Sequence, residues 1–263
     1  MKTRTKLVLG ASCLSCAALA GLGSSTFAWF VTQNNVSITH SQLVISTTNP
    51  SLELTVTRLV PTAAETLTVT ASETISDQVD LSDISSKFGE TFYKKADSGD
   101  NYYDLIPAES LSGSVLQYGV KVSTLAMKRA MNLSIRSSIT GANLAATNNV
   151  RNWVRTAVYE CTDETYAERL TTGKAVALMY KKTQQNCDKY VSGTSESDVS
   201  TYTAAELQQY GNQIDLKENI VDASVSFYKI SVWLEGTAAT NQDIARGATF
   251  SVSTAFALNV PTI

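Results

Sequence analysis

The sequence predicts an all-β fold, an antiparallel sandwich or barrel, on three observations. Of its 263 residues, 62 are Ser or Thr, close to one in four. Apolar and small polar side chains alternate with period two along much of the chain, the signature of strands with one buried and one wet face. Helical stretches are few, and no crossover helices of the βαβ kind separate one strand candidate from the next. A hydrophobic fraction of 43% supplies a core and excludes a disordered chain.

Residues 1–28 read as an export signal. Lys2, Arg4 and Lys6 precede an apolar run that starts at Leu7, and small residues lead up to Thr26-Phe27-Ala28. Thr26 and Ala28 fill the −3 and −1 places of a small-x-small cleavage site, so the mature chain is expected to start at Trp29. Two rival readings exist. Residues 7–30 form a stretch of 24 uncharged residues, long enough to cross about 30 Å of hydrocarbon as an uncleaved anchor. Gly10-Ala11-Ser12-Cys13 has the outline of a lipidation site, but the apolar run before it is shorter than the usual ~7–15 residues.

Beyond the leader, residues 52–60, 67–70, 115–122, 133–136, 154–159 and 175–180 are rich in Thr, Val, Ile and Tyr and read as strands. Tyr228, Ile230, Val232 and Leu234 alternate with Phe227, Lys229, Ser231 and Trp233, so that strand carries apolar side chains on both faces and is expected to be central. Phe250, Val252, Thr254, Phe256, Leu258 and Val260 form the apolar parity of the last strand. Residues 203–210 read as one short helix, with Thr203 as N-cap, Glu206 completing a capping box and Gly211 just past the end. Two polar excursions, 73–110 and 183–203, interrupt the strands. Phe88, Phe92, Tyr93, Tyr102 and Tyr103 lie in the first, which is therefore expected to pack locally.

Export gives the cysteines a meaning. Cys161 and Cys187 are the two that remain after residue 28, and an oxidising compartment makes them a candidate disulfide. Closing a loop of about 27 residues would contribute about 3.5 kcal/mol in the chain-entropy picture. Two separate thiols are the alternative.

Composition excludes several chemistries. Past residue 28 the chain has 18 bases against 24 acids, so no basic face announces a nucleic-acid partner. His40 is the only histidine; it cannot supply a paired-imidazole zinc motif, and a catalytic triad would have to be built around it. No G-x-S-x-G, phosphate loop, dinucleotide fingerprint or H-E-x-x-H occurs. Ser226 and Lys229 match S-x-x-K, but residues three apart on a strand face opposite sides. Asp97, Asp100, Asn101 and Asp104 gather oxygens of the kind calcium takes, without the spacing of a calcium loop, and a turn rich in Asp and Asn accounts for them equally. No catalytic residue, cofactor or metal is expected, and the chain reads as non-enzymatic.

Ser25-Thr26-Phe27-Ala28-Trp29-Phe30, followed by Val36-Ser37-Ile38 and Gln42-Leu43-Val44-Ile45-Ser46, resembles the start of the TasA and camelysin proteins, biofilm-matrix fibre subunits of Gram-positive bacteria. In that group a SipW-type signal peptidase cuts at such a junction and a jelly-roll domain follows. Tyr228 to Gly236 and Gly247 to Phe256 look like the closing hairpin of exported proteins with the same kind of leader. The resemblance implies a jelly-roll-like sandwich over 29–263, to which the residues themselves add one or two short helices in the excursions and an apolar leader helix before it. It also implies a donor strand at residues 29–46, with Val36 and Ile38 as pocket-filling side chains in the sheet of a neighbour; the alternative is that this segment is the first strand of its own sandwich. The expected function is a secreted surface or matrix structural protein and candidate filament subunit. Its partners would be itself or other matrix proteins and, during export, a signal peptidase; the membrane is met only through an uncleaved leader. A monomeric adhesin or glycan-binding module is the rival reading.

Overall fold

The computed structural model describes residues 36–47, 51–60, 66–69, 72–81, 84–95, 102–105, 111, 114–140, 150–180, 202–236 and 249–261. Strands dominate them. In chain order they are β1 (Val36–Thr47), β2 (Leu52–Val60), β3 (Thr66–Val69), β4 (Ser72–Leu81), β5 (Ile84–Ser85), β6 (Tyr93–Lys95), β7 (Tyr102–Leu105), β8 (Val115–Thr124), β9 (Met131–Thr140), β10 (Val154–Cys161), β11 (Ala175–Met179), β12 (Leu207–Gln209), β13 (Gln213–Ile220), β14 (Ser224–Leu234) and β15 (Thr249–Asn259). A 3₁₀ turn lies at Val150–Asn152.

Two sheets form a sandwich. One has the order β13-β9-β15-β1-β4, the other β12-β11-β10-β14-β8-β2-β3. Their facing sides share one core, in which Leu54, Val56, Tyr118, Val120, Ile230 and Val232 of the seven-stranded sheet meet Leu133, Ile135, Ile214, Val252 and Phe256 of the five-stranded one. The rings of Tyr228 and Phe256 approach across the layer with centroids 6.1 Å apart. The two-faced strand is β14, fourth of seven. Its Phe227 and Trp233 look out from the sandwich into a second apolar cluster with Phe88, Phe92, Tyr159, Tyr166 and Tyr202. Phe92 meets the Trp233 ring edge-on at 5.6 Å. The segment that docks there comes from the first excursion, which also contributes a small sheet β5-β6-β7. Gln117 Nε2 donates to the Gly89 carbonyl at 2.7 Å, and Ser231 Oγ donates to the same oxygen at 3.1 Å. Gly89 has φ +65°, and a Cβ there would lie 2.2 Å from that of Ser231, so only glycine fits.

Three expectations are corrected. Residues 203–210 are not a helix. The capping box forms, with the Thr203 amide donating to Glu206 Oε2 at 2.7 Å, but it closes a single turn before β12. The free edge of β11 overrides the local preference: the Ala177 amide donates to the Glu206 carbonyl, the Tyr210 amide donates to the Met179 carbonyl, and Leu207 is buried. The excursion 73–110 is not strand-free, since it holds most of β4 and all of β5 to β7. Finally, β14 and β15 do not pair as a hairpin; they lie in opposite sheets.

Candidate assembly interface

β1 is built from β-branched and hydroxyl residues, V-S-I-T-H-S-Q-L-V-I-S-T, which suit a pleated backbone flanked by neighbours. It has a neighbour on each side. Toward β15 it runs parallel, from His40 opposite Thr249 to Thr47 opposite Phe256. Toward β4 it runs antiparallel, from Val36 opposite Leu81 to Ser46 opposite Ser72, with a register shift between Ile38 and Ser41. β1–β15 is the only parallel pair in its sheet. Without β1, β15 and β4 would each present an unmatched row of backbone N–H and C=O groups.

The expected donor positions fall at the weaker end of this ladder. Val36 and Ile38 pair with β4 alone, whereas residues 41–46 pair on both sides. Leu43, Val44 and Ile45, opposite Val252, Ser253 and Thr254, are the interface positions that sequence reasoning did not single out. The β15 wall is well built. Phe250, Val252, Thr254 and Phe256 are buried on one parity, and the hydroxyls of Thr254 and Ser137 are 2.8 Å apart and hydrogen-bonded. His40 opens the parallel ladder.

The other predicted residues scatter. Ala28 and Trp29 lie outside the described residues, as do Asp97, Asp100 and Asn101. Asp104 stands in β7 opposite Lys94. No group of three or more His, Cys, Asp or Glu able to hold a metal occurs among the described residues. Cys161 is a free, buried thiol, and its expected partner Cys187 lies outside the described residues. Burial pushes the Cys161 thiol up to about 11, against the pull of Lys229, whose own pKa burial lowers. Ser226 is hydrogen-bonded by Lys217, whose Nζ donates at 3.2 Å. A hydroxyl that accepts from an ammonium is not being deprotonated by it, so this contact builds no nucleophile.

Compared with known proteins, the chain matches no family model and no curated sequence.

Proposed function

We propose that this chain is an exported, non-catalytic structural protein of the cell surface or extracellular matrix, a jelly-roll-type sandwich whose copies join by exchanging β1. One observation carries the reading. β1 is held between β15 and β4 by main-chain ladders on both sides, so an identical strand from a second copy can make the same bonds in the same register. One further feature supports it: the leader junction resembles that of matrix fibre subunits.

The test locks β1 in place. Ser46 and Ala255 are opposite each other, so Ser46→Cys/Ala255→Cys should tie β1 to its own β15. The exported wild-type chain is expected to form oligomers or filaments under negative stain, the oxidised variant to assemble no further than a dimer, and reduction to restore assembly. Equal assembly by locked and unlocked chains would refute strand exchange, and a monomeric wild type at high concentration would refute the assembly reading altogether.

A further inference from the structure

Among the described residues four large apolar side chains are exposed: Leu125 (64%), Val221 (45%), Val225 (50%) and Val260 (51%). Isolated exposed apolar residues are ordinary on protein surfaces, but a cluster is not. These four cluster. Leu125 follows β8, Val221 follows β13, Val225 is the second residue of β14 and Val260 follows β15. The registers Thr124 opposite Ser224, Ile220 opposite Met131 and Asn259 opposite Asn132 bring these strand ends to one pole of the sandwich. Backbone bonds tie the pole together, the Leu125 amide donating to the Ser51 carbonyl at 3.1 Å and the Met127 amide to the Val221 carbonyl at 2.8 Å. A cleft of about 350 Å³ opens there, lined by Met127, Met131, Leu258, Lys128 and Arg129 among others.

The charges around the patch are of both signs. Lys128 and Arg129 are exposed and form no ion pair among the described residues, while Glu53, Glu218 and Asp222 are exposed near the same strand ends. A surface made for anionic lipid would gather cations without acids. An apolar centre edged by both signs instead suits a copy of itself, because a twofold axis sets the cations of one against the acids of the other. The chain length agrees. β1 ends and β2 begins at this pole, with four residues between them, a reach of at most about 18 Å between the flanking Cα atoms. A β1 seated in a second copy in the same register would therefore hold the two poles against each other.

We propose that this pole is the docking surface for a second copy of the chain, meeting it about a twofold axis. The connector argument rests on the strand-exchange reading; the patch and its charges do not.

The test uses the full chain, expressed for export and purified as processed. Sedimentation of the wild type should show dimers or larger species, and Leu125→Glu/Val225→Glu should raise the dissociation constant at least tenfold with an unchanged circular dichroism spectrum. Zero-length carbodiimide cross-linking of a mixture of ¹⁴N and ¹⁵N chains should give mixed-isotope peptides joining Lys128 to Glu53, Glu218 or Asp222. Self-association unaffected by the double variant, or single-isotope cross-links only, would overturn the proposal. So would loss of binding to phosphatidylglycerol vesicles in the variant with self-association intact, which would assign the pole to a membrane. The oxidised Ser46→Cys/Ala255→Cys chain separates the two readings. If it still associates through the pole as tightly as the unlocked chain, docking stands and strand exchange falls; if strand exchange persists in the double variant with its affinity unchanged, docking falls alone.

Discussion

Replacing Gly119 by alanine tests how tightly the outer face of the seven-stranded sheet is packed. Gly119 sits in β8 between Thr57 of β2 and Lys229 of β14. The ring of Tyr166 lies across it: an added Cβ would be 2.3, 2.4 and 2.5 Å from three ring carbons. Carbon pairs rest near 3.5–4.0 Å, so the ring would have to recede by about 1 Å or more. It has little room. Tyr166 is buried, its backbone is held at φ +55°, and its ring packs edge-on against Phe227 at 6.1 Å. Overpacking of this kind costs about 1–3 kcal/mol, and the rigid surroundings place it at the upper end. Alanine recovers about 0.5–1 kcal/mol of strand propensity. The net loss should be about 2 kcal/mol, or about 4–8 °C in Tm for a domain of this size. Urea denaturation followed by tryptophan fluorescence measures it. In a Tyr166→Ala background the clash is gone, and the same substitution should be neutral or stabilising by about 0.5 kcal/mol. The coupling of about 2.5 kcal/mol lies well beyond additivity error of about 0.5 kcal/mol. Equal effects in both backgrounds would refute the packing argument.

Four further outcomes are expected. Tyr118→Phe should be neutral or stabilise by about 1 kcal/mol in urea denaturation, because the Tyr118 hydroxyl is buried with no hydrogen-bond partner among the described residues and its removal relieves a desolvated polar group; a loss of more than that would reveal a further partner. Trp233→Ala should cost about 3–5 kcal/mol, since the ring is fully buried between Phe92 and the Glu235 carboxylate, to which its Nε1 donates at 3.0 Å, and near-ultraviolet circular dichroism should fall with it. In the folded chain Cys161 should resist iodoacetamide at pH 8, with peptide mapping as the readout. A Cys161–Cys187 peptide under non-reducing conditions would replace the free thiol by the bridge. Because the folded thiol titrates at about 11 against roughly 8.5 when unfolded, its contribution to stability is complete below about pH 8.5 and is lost as pH rises toward 11. Cys161→Ser should flatten that alkaline decline in Tm.

Legibility followed burial. β14 and β15 could be read because their alternation is strong: Phe250, Val252, Phe256 and Leu258 are buried as their parity requires. Val260 has the right parity yet is exposed, since it lies one residue past the strand, and there it becomes part of the pole. β4 and β13 escaped notice because they are edge strands; Glu73, Asp77 and Asp80 in one and Asp215, Lys217 and Glu218 in the other read as loop, although charge on an edge is what keeps it from pairing further. The turn at Thr203 carried a genuine helix-start signal, but whether it propagates depended on the edge of β11, about thirty residues upstream. The segment 36–46 was legible as a strand. Its place between β15 and β4 was not, because pairing between distant segments leaves no local periodicity.

That pairing also sets an order of events. His40 lies opposite Thr249, so one ladder of β1 joins the first described strand to the last. A polypeptide emerging from the amino terminus can lay β4 against β1 early, whereas β15 arrives only after the residues between them. Until then one side of β1 is an open template, and the interval is set by the time the intervening residues take to appear. Under the strand-exchange reading, neighbouring chains would compete with β15 for that template, so local crowding, rather than affinity alone, would decide whether a molecule closes on itself or on another.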